Sequence, residues 1–290
     1  MPQLNGILAT ESASAILIRN GPHKLSCTIG WDRRTDEFQT GQWLKKLMDY
    51  ELADLSPDGK WFTYFIVNHL ARRKYGAYRA ISKAPCLKAM TFWGTSAYIL
   101  GPGSGIFVED QGVLRLRASD AMSEWNLAGI KTIDQFPAER PWLDTPRLTL
   151  FHDRLQRDGW LAINPDGTRM TPDQGITQSN PWRDTLGVIL EKGITNGWKL
   201  RQITRSNGRG KDQLQNRRWR YQLYQLIDPS GATTEMPDWD WADYDPIKKR
   251  LVWTSDLRLW AASVSQDGPG DTTELLDTRE MRFTRITAPY

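Results

Sequence analysis

The chain has 290 residues, with 38 Lys and Arg against 34 Asp and Glu, a formal net charge of +4, 2 Cys, 3 His and 14 Trp. A chain this long holds one large domain or two small ones and buries a core without staples, while two cysteines exclude a disulfide framework and the lack of a CxxC pair removes the usual zinc signature. No stretch approaches the roughly 20 apolar residues that cross a bilayer, and the N-terminus has no basic and apolar leader; a soluble, cytoplasmic protein without membrane contact or disulfide-linked partner is expected.

Helical periodicity is sparse. Trp43–Leu52 and the stretch near Ala121–Ile130 each fit a short helix, but strand-like runs dominate. In chain order they are Ala15–Arg19, Leu25–Trp31, Trp61–Val67, Tyr78–Ser82, Gly105–Val108, Val113–Arg117, Trp198–Thr204, Trp219–Ile227, Arg250–Thr254 and Arg258–Ala262. Tight turns punctuate them: Ser56-Pro57-Asp58-Gly59, Asn164-Pro165-Asp166-Gly167 and Asp228-Pro229-Ser230-Gly231 each combine a Pro of preset φ with a Gly suited to positive φ. The terminal run Met281–Ile286 alternates apolar and polar residues, as a closing edge strand would.

An internal repeat narrows the architecture. Ala53–Tyr64 lies over Ala242–Trp253, matching the Ala-Asp pair, the Pro, one Lys and the apolar run that follows. The offset is near four periods of about 45 residues, a blade-like length. Leu100–Gly105, followed by Ile106–Val108, fits the same scheme. The expected fold is therefore all-β, a single β-propeller domain over 1–290 with about five or six blades and an irregular insertion in the middle of the chain, roughly 120–174. Ile247-Lys248 stands where the first repeat has Asp-Gly, so that turn must differ.

The segment ADLSPDGKWFTYF resembles the strand-turn-strand of TolB-type propeller repeats, and RYQLYQLIDPSGATTE resembles the outer hairpin of such a blade. RNGPHKLSCTIGWDRRTDEFQTGQWLKK, YGAYRAISKAPCLKAMTFWG, RLQRDGW, WADYDPIKKRLVWTSDLRLW and MRFTRITAPY resemble uncharacterised bacterial propeller-like proteins. The resemblance implies a fold and no particular activity.

Three constellations have a functional and a plainer reading. The basic stretch 201–220 contains Arg205, Arg209, Lys211, Arg217 and Arg218 beside Trp219; it suits an acidic partner or nucleic-acid phosphates, or is a solvated hairpin tip. Trp125, Trp142 and Trp182 fall in the irregular middle, where loop aromatics favour contact surfaces. Asp238, Asp240 and Asp243 alternate with Trp239 and Trp241. They suit a central-channel carboxylate site in a hydrolase or carbohydrate-active propeller, or a strand with rings on one face.

Trp31, Trp61, Trp93, Trp253 and Trp260 fall in or beside strands as core candidates. Cys27 and Cys86 read as inert buried thiols, and His23, His69 and His152 form no catalytic arrangement with a serine elbow. No cofactor or metal is expected. These features favour a non-enzymatic scaffold that binds a protein, as a subunit or accessory of a larger complex. A channel hydrolase and nucleic-acid binding through 201–220 are the alternatives.

Overall fold

Apolar runs flanked by Pro/Gly turns build antiparallel meanders in this chain, whose computed structural model describes residues 2–67, 77–95, 105–110, 113–118, 131–133, 146–164, 167–169, 188–206 and 220–290. These residues pack as two compact units. The first draws on residues 2–133, 146–154 and 280–290, the second on 155–279.

In the first unit, β1 (Gln3–Leu8), β2 (Ser14–Asn20), β3 (Ser26–Asp32) and β4 (Glu37–Leu44) form one antiparallel sheet in sequence order. A second comprises β5 (Asp54–Leu55), β6 (Trp61–Val67), β7 (Ala77–Lys83) and β8 (Thr91–Thr95). A three-stranded sheet follows, of β9 (Gly105–Asp110), β10 (Val113–Ala118) and β11 (Lys131–Ile133), in which β10 and β11 run parallel. The helix α1 (Pro146–Arg157) comes next in the chain.

The second unit contains a meander of β12 (Leu161–Ile163), β13 (Val188–Gly193), β14 (Lys199–Ser206), β15 (Arg220–Ile227) and β16 (Thr233–Met236). Its other sheet is β17 (Trp241–Asp245), β18 (Arg250–Ser255), β19 (Arg258–Ser265), β20 (Gly268–Pro269) and β21 (Thr273–Asp277), with β21 pairing β19. All ten strands expected from the sequence are present. The fold is all-β with one α-helix among the described residues, and four of its sheets are propeller-like blades, two per unit.

Four blades replace the five or six expected. A constant period does not hold along the chain, which departs from it between β8 and β13. The parallel β10–β11 pair breaks the up-and-down order, and α1 takes up 12 residues. Two local expectations also fail. Trp43–Leu52 is not a helix: Trp43 and Leu44 finish β4, Met48 bridges Ile66, and only Tyr50–Leu52 makes a 3₁₀ turn, capped by the Asp49 carboxylate on Glu51 N–H at 3.2 Å. Met281–Ile286 forms no strand: the Ile286 carbonyl and the Phe283 ring meet the side chains of Gln42 and Trp43 on β4 instead of a backbone ladder.

Burial falls from the first strand of a blade to the last. Residues Leu4–Leu8 of β1 are buried, and β2 carries five consecutive buried residues, the signature of a strand covered on both faces. Of the outer strands, β16 and β21 are largely exposed and β4 is mostly half-buried. Among the core candidates, Trp31 and Trp253 are buried, whereas Trp61 and Trp260 are half-buried. The Trp93 side chain lies outside the described residues.

The repeat corresponds to a structural equivalence. Asp54 opens β5 and Asp243 lies in β17, the first strands of their blades, and each carboxylate accepts the next residue's N–H, at 2.9 Å from Leu55 and 2.7 Å from Tyr244. Each then reaches outside its own sheet. Asp54 Oδ2 accepts Phe107 N–H of β9 at 2.7 Å, and Asp243 Oδ1 meets Lys192 Nζ of β13 at 2.6 Å. The turns differ as the sequence requires. Gly59 takes φ +76° and closes the Ser56 turn at 2.8 Å, whereas in the second repeat the left-handed residue is Lys249, at φ +51°.

Buried guanidiniums tie the first unit's connections by saturating carbonyls that no ladder reaches. Arg33 donates to the carbonyls of Ala9, Ser12 and Ala13. Arg79 reaches Leu52 O and Thr63 Oγ1, both at 2.9 Å, and Arg154 of α1 reaches the carbonyls of Tyr50 and Ala53. Burial pushes the Arg79 pKa down, and the charges of Asp54 and then Asp49 oppose that shift.

The first two blades approach each other closely where β4 faces the β7–β8 connection. A Cβ on Gly41 would lie 2.2 Å from the Pro85 carbonyl oxygen and 2.5 Å from Thr28 Oγ1, while Thr28 Oγ1 itself donates to Pro85 O at 2.6 Å. Gly41→Ala is therefore expected to lower the urea-unfolding free energy by about 1–3 kcal/mol through overpacking. Gly193→Ala, whose added Cβ meets nothing within 4 Å, is expected to stay near wild type in the same titration.

Candidate functional site

Gln42, on β4 just past that close approach, joins three segments. Its side-chain oxygen accepts the N–H groups of Leu87 at 2.8 Å and Lys88 at 2.7 Å, and its side-chain nitrogen donates to Ile286 O at 2.8 Å. The C-terminal residues are held again at Tyr290, whose hydroxyl accepts Lys83 N–H at 3.1 Å and donates to Lys88 O at 2.7 Å. Lys83 and Lys88 each place their ammonium 5.3 Å from the Tyr290 ring centroid. The β7–β8 connection is itself braced, with Tyr64 donating to Leu87 O and Ser82 to Cys86 O, both at 2.6 Å.

Between these anchors a cleft of about 230 Å³ opens, walled by Trp43, Leu44, Leu87, Phe283 and Ile286. Trp43 and Phe283 approach at 6.2 Å between centroids, tilted by 58°. Lys45 lies 5.6 Å over the Phe283 ring, and the Arg19 guanidinium lies 5.9 Å over Trp43. Arg19 is buried, which pushes its pKa down; Cys27 opposes that shift and Arg282 adds to it. No acidic side chain lines the cleft, and neither Lys45 nor Arg285 has a carboxylate at ion-pair distance among the described residues. The Trp43 indole N–H is buried without an acceptor. Such a surface offers apolar contact and cations, and so suits a ligand with apolar and anionic groups.

None of these cleft residues stands out in the sequence as a site. Trp43 falls in the expected helix and Phe283 in the expected closing strand. The available signal was the basic-aromatic pairing of WLKK with MRFTRI, two segments far apart in the chain.

Of the basic-hairpin candidates, Arg205 lies on β14 opposite Tyr221, with its side chain outside the described residues. Arg209, Lys211, Arg217, Arg218 and Trp219 lie outside the described residues, as do Trp125, Trp142 and Trp182. At the start of the basic stretch, Arg201 is engaged by Glu191, with Nε at 2.8 Å from Oε1, and Lys199 lies 3.6 Å from the same carboxylate group.

The acidic candidates occupy different environments: Asp238 is exposed, Asp240 is half-buried and Asp243 is buried against Lys192. Lys192 also lies 5.8 Å over the buried Trp160 ring. Trp239, between the first two aspartates, stacks on Trp253 at 4.9 Å and 18°. Among the described residues no three His, Cys, Asp or Glu side chains converge as a metal site. His23 is exposed at φ +58°, His152 is buried beside Phe151 at 5.9 Å, and His69 lies outside the described residues.

No protein-family model matches the chain, and no curated protein matches it. Among solved structures, an uncharacterized protein from Listeria monocytogenes EGD-e aligns over 95% of this chain and 83% of its own, at 9% identity and a TM-score of 0.32. A likeness of that size carries no functional argument.

Two measurements probe this region. Gln42→Ala removes three hydrogen bonds, each worth about 1 kcal/mol net. It should lower stability by about 2–3 kcal/mol and speed trypsin cleavage after Arg282 and Arg285. Burial pushes the Cys27 thiol up to about 12, with Arg19 opposing, so the native protein should resist iodoacetamide at this position at pH 8 while the unfolded chain reacts. A raised folded pKa favours the native state until the unfolded thiol ionises. Stability should then fall as pH climbs from about 9 towards 12, less steeply in Cys27→Ala.

Proposed function

We propose that this chain is a non-enzymatic propeller scaffold, one domain over 1–290, that holds a protein partner within a larger cytoplasmic complex. The observation that carries the reading is the cleft between β4 and residues 283–286, where Phe283 is 50% exposed beside Lys45 and Arg285, neither of which has a carboxylate at ion-pair distance among the described residues. Large apolar side chains this open are the material of interaction hot spots when they stand beside a pocket. Leu47, Met90 and Phe92 of the same unit are also exposed, at 48%, 42% and 53%.

The equivalence of Asp54 with Asp243 supports reading the blades as TolB-type repeats of a bacterial protein. A ring of blades serves as a rigid frame that presents loops and edges to partners. The basic stretch 201–220 is a second contact region in this reading.

Affinity purification of the tagged chain from the cells that make it, at low and high salt, tests the reading. A stoichiometric protein that co-elutes with wild type and is reduced at least about tenfold (1.4 kcal/mol) by Phe283→Ala is the expected result. A partner-free wild-type chain would contradict it.

A further inference from the structure

The chemistry of the cleft specifies its occupant more narrowly than "a protein". We infer that it receives an acidic, extended peptide segment whose apolar side chain packs against Trp43 and Phe283 while its carboxylates meet Lys45 and Arg285. This rests on the scaffold reading of the same site.

Three features converge on that chemistry. The walls are mixed aliphatic and aromatic, with Leu44, Leu87 and Ile286 beside the two rings. That composition matches a peptide side chain, whereas nucleotide bases call for open aromatic platforms along a phosphate-spaced groove. The volume of about 230 Å³ holds one or two side chains, not a folded element. The free charge is of one sign: Arg285 lines the cleft, Lys45 stands over Phe283, Lys88 is taken up by the Tyr290 main-chain oxygen, and among the described residues no acidic side chain lines it.

The anchors are already in place. Gln42 fixes the floor by joining Leu87, Lys88 and Ile286, and Tyr290 pins the far end of the wall. A pre-formed cleft takes an extended segment with little ordering cost to itself, and cations around an apolar centre select the partner by charge.

The test uses the full chain and a fluorescein-labelled synthetic peptide that alternates Asp/Glu with Leu/Phe, read by fluorescence anisotropy. Comparison probes replace its acids with Lys or its apolar residues with Ser, and a single-stranded oligonucleotide tests the nucleic-acid outcome. The acidic-apolar peptide is expected to bind, and both comparison peptides to bind at least about tenfold more weakly. Lys45→Glu and Arg285→Glu, both surface changes, should each weaken binding several-fold, and raising salt from about 0.05 to about 0.5 M should weaken it further. Phe283→Ala should abolish most of it. The inference is overturned if the Lys peptide binds as well as the acidic one, if the charge-reversal variants bind normally, or if the oligonucleotide binds better and through the same residues. It also falls if no peptide binds while a cellular partner is still captured in a Phe283-dependent way, an outcome that leaves the scaffold reading standing. Loss of both the peptide and the captured partner removes both.

Discussion

The close approach of the first two blades is the constraint on which the candidate site depends. Gly41 has no side chain because the Pro85 carbonyl occupies the space where one would begin, and that proximity lets Thr28 and Gln42 bond across. Without it, Gln42 could not span β4, the 87–88 backbone and Ile286 at once. The tail would then have one anchor, Tyr290, and the cleft would lose a wall. A glycine chosen for space thus sets the geometry of a surface two residues away.

A second theme is the handling of backbone groups that sheets leave unpaired. Short first strands such as β5 give few ladder bonds, so the 49–55 segment depends on side chains instead. Arg79 and Arg154 cover its carbonyls, and Asp54 uses one oxygen for its own strand and the other for β9. Asp243 plays the matching part in the other unit with an ammonium as partner. Buried charges of this kind cost desolvation, which carbonyl dipoles, an opposite charge or, for Arg154, the Tyr50 and Phe151 rings offset. They explain why acidic residues on first strands read as structural here: Asp243 is occupied by Lys192.

Much of the fold was legible in the sequence because its signals were local. Strand runs such as AILIR and RLVWT, and the Pro/Gly turns at 56–59 and 228–231, declare themselves within a few residues, and Gly59 and Gly231 take the positive φ that their turns require. The repeat at 53 and 242 was also readable, down to the altered second turn. What was not legible depends on distant partners. The period misled the blade count because the chain from β9 to β12 inserts a parallel pair and a helix. Helix α1 carries Pro146 at its start and a Leu148/Phe151/Leu155 spacing, a signal obscured by the irregular composition around it. The cleft was the least visible part, since Trp43 and Phe283 are 240 residues apart and only the tail's path joins them.

The central claim is that the β4–tail cleft is where this protein meets its partner. Hydrogen–deuterium exchange of the chain with and without its captured partner tests it most directly. The account predicts new protection concentrated in residues 41–46, 86–90 and 281–288. Protection confined to other segments, such as 233–245, with those three unchanged, would contradict it.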